Sequence, residues 1–486
     1  MNTNQNSLPL AKALDELIAR EPAYFCTPGH RFENGISNEL KERFGNDIFK
    51  YDLTETYGLD DLHEAEEAIK EAQDLTARLY GAEHSRFLVN GTTCGNEALI
   101  LAVCRENDEI IISRNCHQSV ISGLVLSGAR PVYIEPVYDE SFGICAEISV
   151  DDISKAIRLH PNAKAVFITS PTYYGRLSDI SSIADICHKN NIPLLVDEAH
   201  GSHLYFSEQL PNGALKNGAD GVVMSFHKTI GSMTQSSVLH LNSSLINMGR
   251  VDSALKMLMS SSPSYILMTS LDAARWQMET EGKELIESTV KLSKSLRTKI
   301  KQTKGFRLYE GEAAFTDITR VVFSASDLGL SGYKLSDILF EKYNICLEMA
   351  DMSNVVAIVT FGNNEKDMEN LIAAISDISD KRHCCKGEFS LSKQHISFKN
   401  FLEKTPECII SPREAYFAEK EIVSLENACG RISSQSIAPY PPGIPVINPG
   451  ELISSDVIEM LKYCRENNIK IHSYGMTKEF NITVVK

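Results

Sequence analysis

The stretch "GADGVVMSFHKTIGSMTQ", Gly218–Gln235, decides the fold. Its apolar run Val222–Met224 reads as a strand entering a core, and directly behind that strand come Ser225, His227 and Lys228. A lysine there is drawn out of water, and an ammonium without a partner is costly to desolvate. Something must neutralise or consume the charge.

Working outward, "SRFLVN", "DEIIISR", "ARPVYIEP", "AKAVFITSPT" and "IPLLVDEAHG" read as further strands. "LHEAEEAIKEAQDLTARLYG", stopping at Gly81, and "NEALILAVC" carry helical periodicity. Short apolar runs separated by helices predict an α/β fold with a mostly parallel sheet covered on both faces. Beyond residue 275 the texture changes, and "DITRVVFSA" and "NVVAIVTFG" suggest a smaller α/β unit. "HCCKGEFSLSKQ", from His383, reads as a linker, and the proline cluster of "APYPPGIPVINPGE" excludes a central strand or helix. The expected division is a helical arm 1–20, a large domain 21–275, a small α/β domain 276–385 and a C-terminal α+β domain 386–486. A chain of 486 residues is long enough for this.

A formal net charge of −16 disfavours a nucleic-acid backbone as partner and suits a cationic small molecule. No window approaches 18 consecutive apolar residues, and the N-terminus lacks a basic segment followed by an apolar one, so neither membrane spanning nor export is expected and the cytoplasm is. The 12 cysteines form no CxxC pair, and reduced thiols are expected.

In open parallel sheets, ligands bind beyond the carboxyl ends of strands. Four segments fall there. "NGTTCGN", Asn90–Asn96, places Gly91 in a tight turn and Thr92, Thr93 and Cys94 at a helix start, either as a phosphate cup or as an ordinary capped terminus. Asp197 stands at the end of "PLLVDEAHG", able to pair with a protonated ring nitrogen, to bind metal with His200 and His203, or to cap a helix. Lys228 follows 31 residues later, the length of one strand–helix–strand unit, which brings neighbouring strand ends together. His117, in "SRNCHQS", could lie flat on a pyridine ring or serve as a structural histidine. A desolvated amine beside a carboxylate and a phosphate cup meets the needs of Schiff-base chemistry with pyridoxal 5'-phosphate. No metal centre is expected.

"TPGH", "YDLTETYGLDDL", "NGTTCGNEALI", "NCHQSVISGLVLSGARPVYI", "SPTYYG", "DEAHGSH", "SFHKT", "PREAYFA" and "APYPPGIPVINPGE" together resemble the bacterial ornithine/lysine/arginine decarboxylases, fold type I pyridoxal-phosphate enzymes of the aspartate-aminotransferase class. The resemblance spans about residue 20 to 455. It is strongest to the short form without an N-terminal wing, often an arginine decarboxylase of polyamine synthesis. It implies that Lys228 carries the cofactor, Asp197 faces the pyridine nitrogen, His117 stacks on the ring, and Thr92, Thr93, Ser225 and His227 hold the phosphate, with Cys94 at a variable position. In "MSSSPSY", Ser261 is implied to reach a partner subunit's site, making a homodimer or higher homo-oligomer with active sites at the interface.

The implied reaction removes the α-carboxylate of a basic L-amino acid, arginine to agmatine being favoured over lysine or ornithine, and over an aminotransferase or aldolase on the same fold. Reprotonation of the α-carbon falls to Lys228 or to a histidine such as His200. Tyr173 and Tyr174 are candidate walls against water. An acidic group must read the substrate's cationic end, and Glu451, Glu348 and Asp351 are candidates. For Glu451 a helix cap is the alternative. A regulatory relative without cofactor and a metal hydrolase built on Asp197, His200 and His203 are the rivals from other classes.

Overall fold

The computed structural model describes residues 6–382, 405–439, 445–466, 471–473 and 481–486. The expected linker from His383, with Cys384 and Cys385, and residues 440–444 of the proline cluster lie outside them.

Seven strands form the main sheet: β1 His84–Leu88, β2 Glu109–Ser113, β3 Arg130–Ile134, β4 Val166–Thr169, β5 Leu194–Asp197, β6 Gly221–Met224 and β7 Ser237–Leu241. Their order is β1-β7-β6-β5-β4-β2-β3. The run from β6 through β3 is parallel, and β7 is antiparallel to both of its neighbours. Strands β5 and β6 are buried at every position, the pattern of a sheet covered on both sides. The mostly parallel α/β sheet is thus as expected. The segment "SVLHL" forms β7, and its antiparallel direction is set by tertiary pairing.

The connection from β5 to β6 departs from the strand–helix–strand expectation. It holds two single-turn 3₁₀ segments, Leu204–Phe206 and Leu215–Asn217, and no α-helix. The strands are still neighbours in register, with Asp197 opposite Val223.

Helices α1 Pro9–Ile18, α2 Ala68–Tyr80, α3 Gly91–Val103, α4 Gln118–Ser127, α5 Val150–Leu159 and α6 Ile180–Lys189 accompany the sheet. Each βα unit buries an apolar stripe, such as Ile153, Ala156 and Ile157 of α5. Helix α3 lies unusually close to the sheet, since a Cβ on Gly95 would stand 2.6 Å from Val223 and 2.8 Å from Leu88. That approach delivers the first turn of α3 to the end of β6. One-turn helix α7, Phe226–Thr229, carries Lys228.

After α8 Met248–Leu258, helix α9 runs unbroken from Tyr265 to Gln302. Its first part packs Tyr265, Met268, Leu271 and Met278 into the main core, and its last turns bring Leu296 and Ile300 into a second core. The boundary expected at 275 therefore falls inside a helix shared by two cores. The second core covers a small antiparallel sheet of β8 Arg307–Leu308, β9 Arg320–Ser324, β10 Met349–Ala350 and β11 Val355–Ile358, in the order β8-β9-β11-β10. A third core, with Leu425, Ile437, Ile447, Val457 and Leu461, belongs to the C-terminal part.

Candidate active site

The carboxyl edge of the parallel strands gathers the functional side chains because β1, β2, β4, β5 and β6 all end there. The cleft at that edge is lined by Thr92, Asn115, His117, Thr169, Tyr173, Asp197, His200 and Lys228, with Cys116, Cys145, Pro171, Thr172, Tyr174 and Ala199 completing its wall.

Asp197 ends β5 with its side chain buried. Asn96 Nδ2 donates to Asp197 Oδ2 at 2.8 Å and the Ala199 amide donates to Oδ1 at 3.1 Å. The same Asn96 amide donates to Ser119 Oγ at 2.9 Å, and Ser119 Oγ stands 2.8 Å from His117 Nδ1. His117 caps α4, its Nδ1 accepting from the Ser119 backbone amide at 3.2 Å. With Nδ1 accepting, the ring proton of neutral His117 sits on Nε2. Burial holds its pKa below the ordinary value, a trend Asp197 opposes and Lys228 reinforces.

Lys228 Nζ lies 3.1 Å from His200 Nε2 and 5.8 Å from the centre of the Tyr173 ring. Burial lowers its pKa, and Asp197 offsets part of that. The Tyr173 ring packs on the His200 ring with centroids 4.6 Å apart. His200, 4% exposed, is pushed well below the ordinary histidine pKa by burial first and then by the charges of Lys228 and Arg320. Arg320 begins β9 and is 1% exposed; its Nη2 reaches His200 Nδ1 at 2.8 Å. His203 turns away from this group, to Asp317 at 3.1 Å and Thr319 at 3.1 Å, so the two histidines of "HGSH" serve different partners.

The first turn of α3 begins at Gly91, whose φ of 69° suits glycine, with its amide donating to the Gln235 carbonyl at 2.8 Å. Ser225 Oγ donates to Thr92 Oγ1 at 3.3 Å, joining the two halves of the expected cup. Thr93 is exposed beside them. His227 donates from Nδ1 to the Ser236 carbonyl at 2.9 Å, and burial lowers its pKa. Cys94 does not join the cup. Its Sγ turns back to the Gly91 carbonyl at 3.2 Å, and burial pushes its thiol up to about 12.

The acidic candidates separate. Glu348 is exposed and is not among the residues lining the cleft, and its charge favours the charged forms of Lys228 and Arg320. Asp351 is not a substrate group, being enclosed by bonds from Tyr174 Oη at 2.8 Å, the Ser353 amide at 2.7 Å and the Asn354 amide at 2.7 Å. Glu451 is corrected as well. Its side chain is fully buried against Arg114, with Nη2 to Oε2 at 2.9 Å and a second, shorter contact, and it accepts from the Asn448 amide at 2.7 Å. A carboxylate so enclosed ties the C-terminal part to the loop after β2 and has no face left for a substrate. Ser261 is exposed in the loop before α9 and is not among the residues lining this cleft.

Four polar residues were missed from the sequence: Asn96, Ser119, Thr169 and Arg320. The one available signal was for Arg320, a cation opening the apolar run "RVVFSA".

The residues fit pyridoxal phosphate. Among the described residues Asp197 has no ion pair within the cleft, and the buried Asn115 Oδ1 and Thr169 Oγ1 at its wall lack a hydrogen-bond partner. A bound polar molecule would supply what these groups need.

Comparison with known proteins agrees. Residues 8–316 match the family model described as Orn/Lys/Arg decarboxylase, major domain, and residues 395–475 match its C-terminal domain. The chain is 39% identical to an arginine decarboxylase of Bacillus anthracis, over 96% of this chain and 94% of that protein. It is 36% identical to an arginine decarboxylase of Bacillus subtilis, with 94% of each covered. In fold it is similar to lysine decarboxylase A from Pseudomonas aeruginosa, with a TM-score of 0.85 at 21% identity over 98% of this chain and 80% of that one.

Proposed function

Since the chain belongs to the Orn/Lys/Arg decarboxylase family and is a decarboxylase, we propose that it converts L-arginine to agmatine and carbon dioxide, as a step in polyamine synthesis, with pyridoxal phosphate carried on Lys228. The observation that carries this reading is the Lys228 amine held between His200 and the field of Asp197 at the sheet's carboxyl edge. Arginine is preferred as substrate because the relatives at 36 and 39% identity are arginine decarboxylases, whereas the lysine decarboxylase of similar fold shares 21%.

When bound, pyridoxal phosphate supplies an electron sink for the pair left as the carboxylate departs. Lys228 offers an amine whose charge is disfavoured by burial, and a neutral amine is the nucleophilic form. Asp197, kept in place by Asn96 and the Ala199 amide, would hold a proton on the ring nitrogen. His117, oriented by Ser119, would pack on the ring. The amides at the start of α3, with Thr92, Thr93, Ser225 and His227, would hold the phosphate. Tyr173 and Tyr174 exclude water from the leaving carboxylate.

Glu348 is assigned to the substrate's guanidinium, and Ser261 to the partner subunit's site in a homodimer working in the cytoplasm. The test is a product assay on arginine, lysine and ornithine side by side, separating agmatine, cadaverine and putrescine. Agmatine in excess is expected. Cadaverine or putrescine in excess would replace arginine as substrate, and keto acid without carbon dioxide would reject decarboxylation.

A further inference from the structure

Arg320 makes an unusual contact. A guanidinium carries only N–H donors and is always charged, so the nitrogen it meets at 2.8 Å, His200 Nδ1, must accept. Arg320 also donates to the His200 carbonyl at 3.4 Å, which pins the same residue at two atoms. A neutral imidazole with Nδ1 accepting carries its proton on Nε2, and that atom faces Lys228 Nζ at 3.1 Å. An N–H facing an ammonium would set two donors against each other. Lys228 must therefore present a lone pair.

We propose that Arg320 is a positioning residue that fixes His200 as the neutral Nε2–H form, holds Lys228 as an uncharged amine and denies His200 the role of imidazolium acid. The groups facing this pair are consistent with it. His200 is met by Lys228 from α7, Arg320 from β9, and His117 and His203, all of which oppose a positive ring. Lys228 is met by Asp197 and Glu348, whose charges favour the ammonium, and by Arg320, which opposes it. Asp197 and Glu348 do not reach Nζ within hydrogen-bond distance, whereas His200 does.

The proton positions do not depend on the decarboxylase reading, but their consequence rests on it. Decarboxylation leaves the α-carbon short of one proton. With His200 confined to its neutral form, Lys228 takes the proton shed by the substrate's α-ammonium, turns away from His200 Nε2–H as it becomes charged, and returns the proton to the carbon after carbon dioxide leaves. Of the two candidates for that step, the lysine remains.

The test uses the full-length protein freed of cofactor. Trace acetylation with acetic anhydride, read at the Lys228 peptide by mass spectrometry across pH, reports the fraction of free amine. In the wild type Lys228 should titrate far below an ordinary lysine. Arg320→Gln should cut its reactivity near neutral pH by about tenfold, Arg320→Lys should restore much of it, and in a His200→Ala background Arg320→Gln should change little. An unchanged profile in folded Arg320→Gln, or an equal change without His200, would overturn the proposal. Should Arg320→Gln fail to fold, nitrogen-15 histidine spectra of the wild type, with the His200 ring identified by His200→Gln, decide alone. Unprotonated Nδ1 and protonated Nε2 from about pH 6 to 8 are expected, and a protonated Nδ1 refutes the assignment. Failure of agmatine formation with these proton positions intact would reject the function and leave the inference standing.

Discussion

Two arginines are buried to nearly the same degree and are used in opposite ways. Arg114, 3% exposed, meets the carboxylate of Glu451, so that opposite charges enclose one another at the seam with the C-terminal part. Arg320, 1% exposed, donates to a neutral imidazole, while its Nε and Nη1 have no hydrogen-bond partner. The first arrangement cancels a charge. The second keeps one and uses its field on a neighbouring ring and amine, at the cost of a desolvated guanidinium whose pKa burial lowers. Arg320, buried beside a cleft and offset only through space by Asp317 and Glu348, thus belongs to the chemistry, and the ion-paired Arg114 to the assembly.

Substitutions can break this contrast. Lys228→Ala should lower carbon dioxide release from arginine by on the order of 10⁴-fold or more, with little loss of thermal stability. Activity persisting within tenfold of wild type would remove the cleft as the reactive centre. At the seam, Glu451→Gln should leave Arg114 charged and unpaired, at about 3–5 kcal/mol in urea denaturation, with turnover per folded molecule nearly unchanged. A stable Glu451→Gln protein without turnover would move that carboxylate back to the substrate. Glu348→Gln should raise KM for arginine about tenfold, close to 1.4 kcal/mol, with kcat little altered. A fall confined to kcat would take Glu348 away from the substrate's cationic end.

The smallest effect concerns pH. In the cofactor-free protein Lys228 has a lowered pKa in the folded state, so the unfolded chain binds more protons at this site and stability from it rises with pH. Lys228→Met should therefore stabilise the cofactor-free protein at neutral pH. The gain should shrink as pH climbs toward the unfolded lysine value of about 10.4. Denaturation midpoints of both proteins across that window check the sign, and a gain that grows with pH contradicts it.

Much of this site was legible in the sequence because strand ends announce themselves. Asp197 and Lys228 each follow an apolar run, and the sheet brings their strands side by side. The family motifs added roles that spacing alone left open. What the sequence hid is what depends on partners chosen in space. Glu451 looked like a substrate group because Arg114, 337 residues away in sequence, cannot be matched to it in advance. Arg320 lay in a strand of the smaller unit with no cue that it faces His200 across 120 residues. The spacing from Asp197 to Lys228 placed the strands correctly although the connection contains no α-helix, since length constrains reach more than content.

The most direct test of the central claim is chemical. The purified chain is incubated with pyridoxal phosphate, reduced with borohydride and digested, and the peptides are weighed. The account predicts one reduced pyridoxyl group, on the peptide containing Lys228. A label on another lysine, or no label at all, would contradict it.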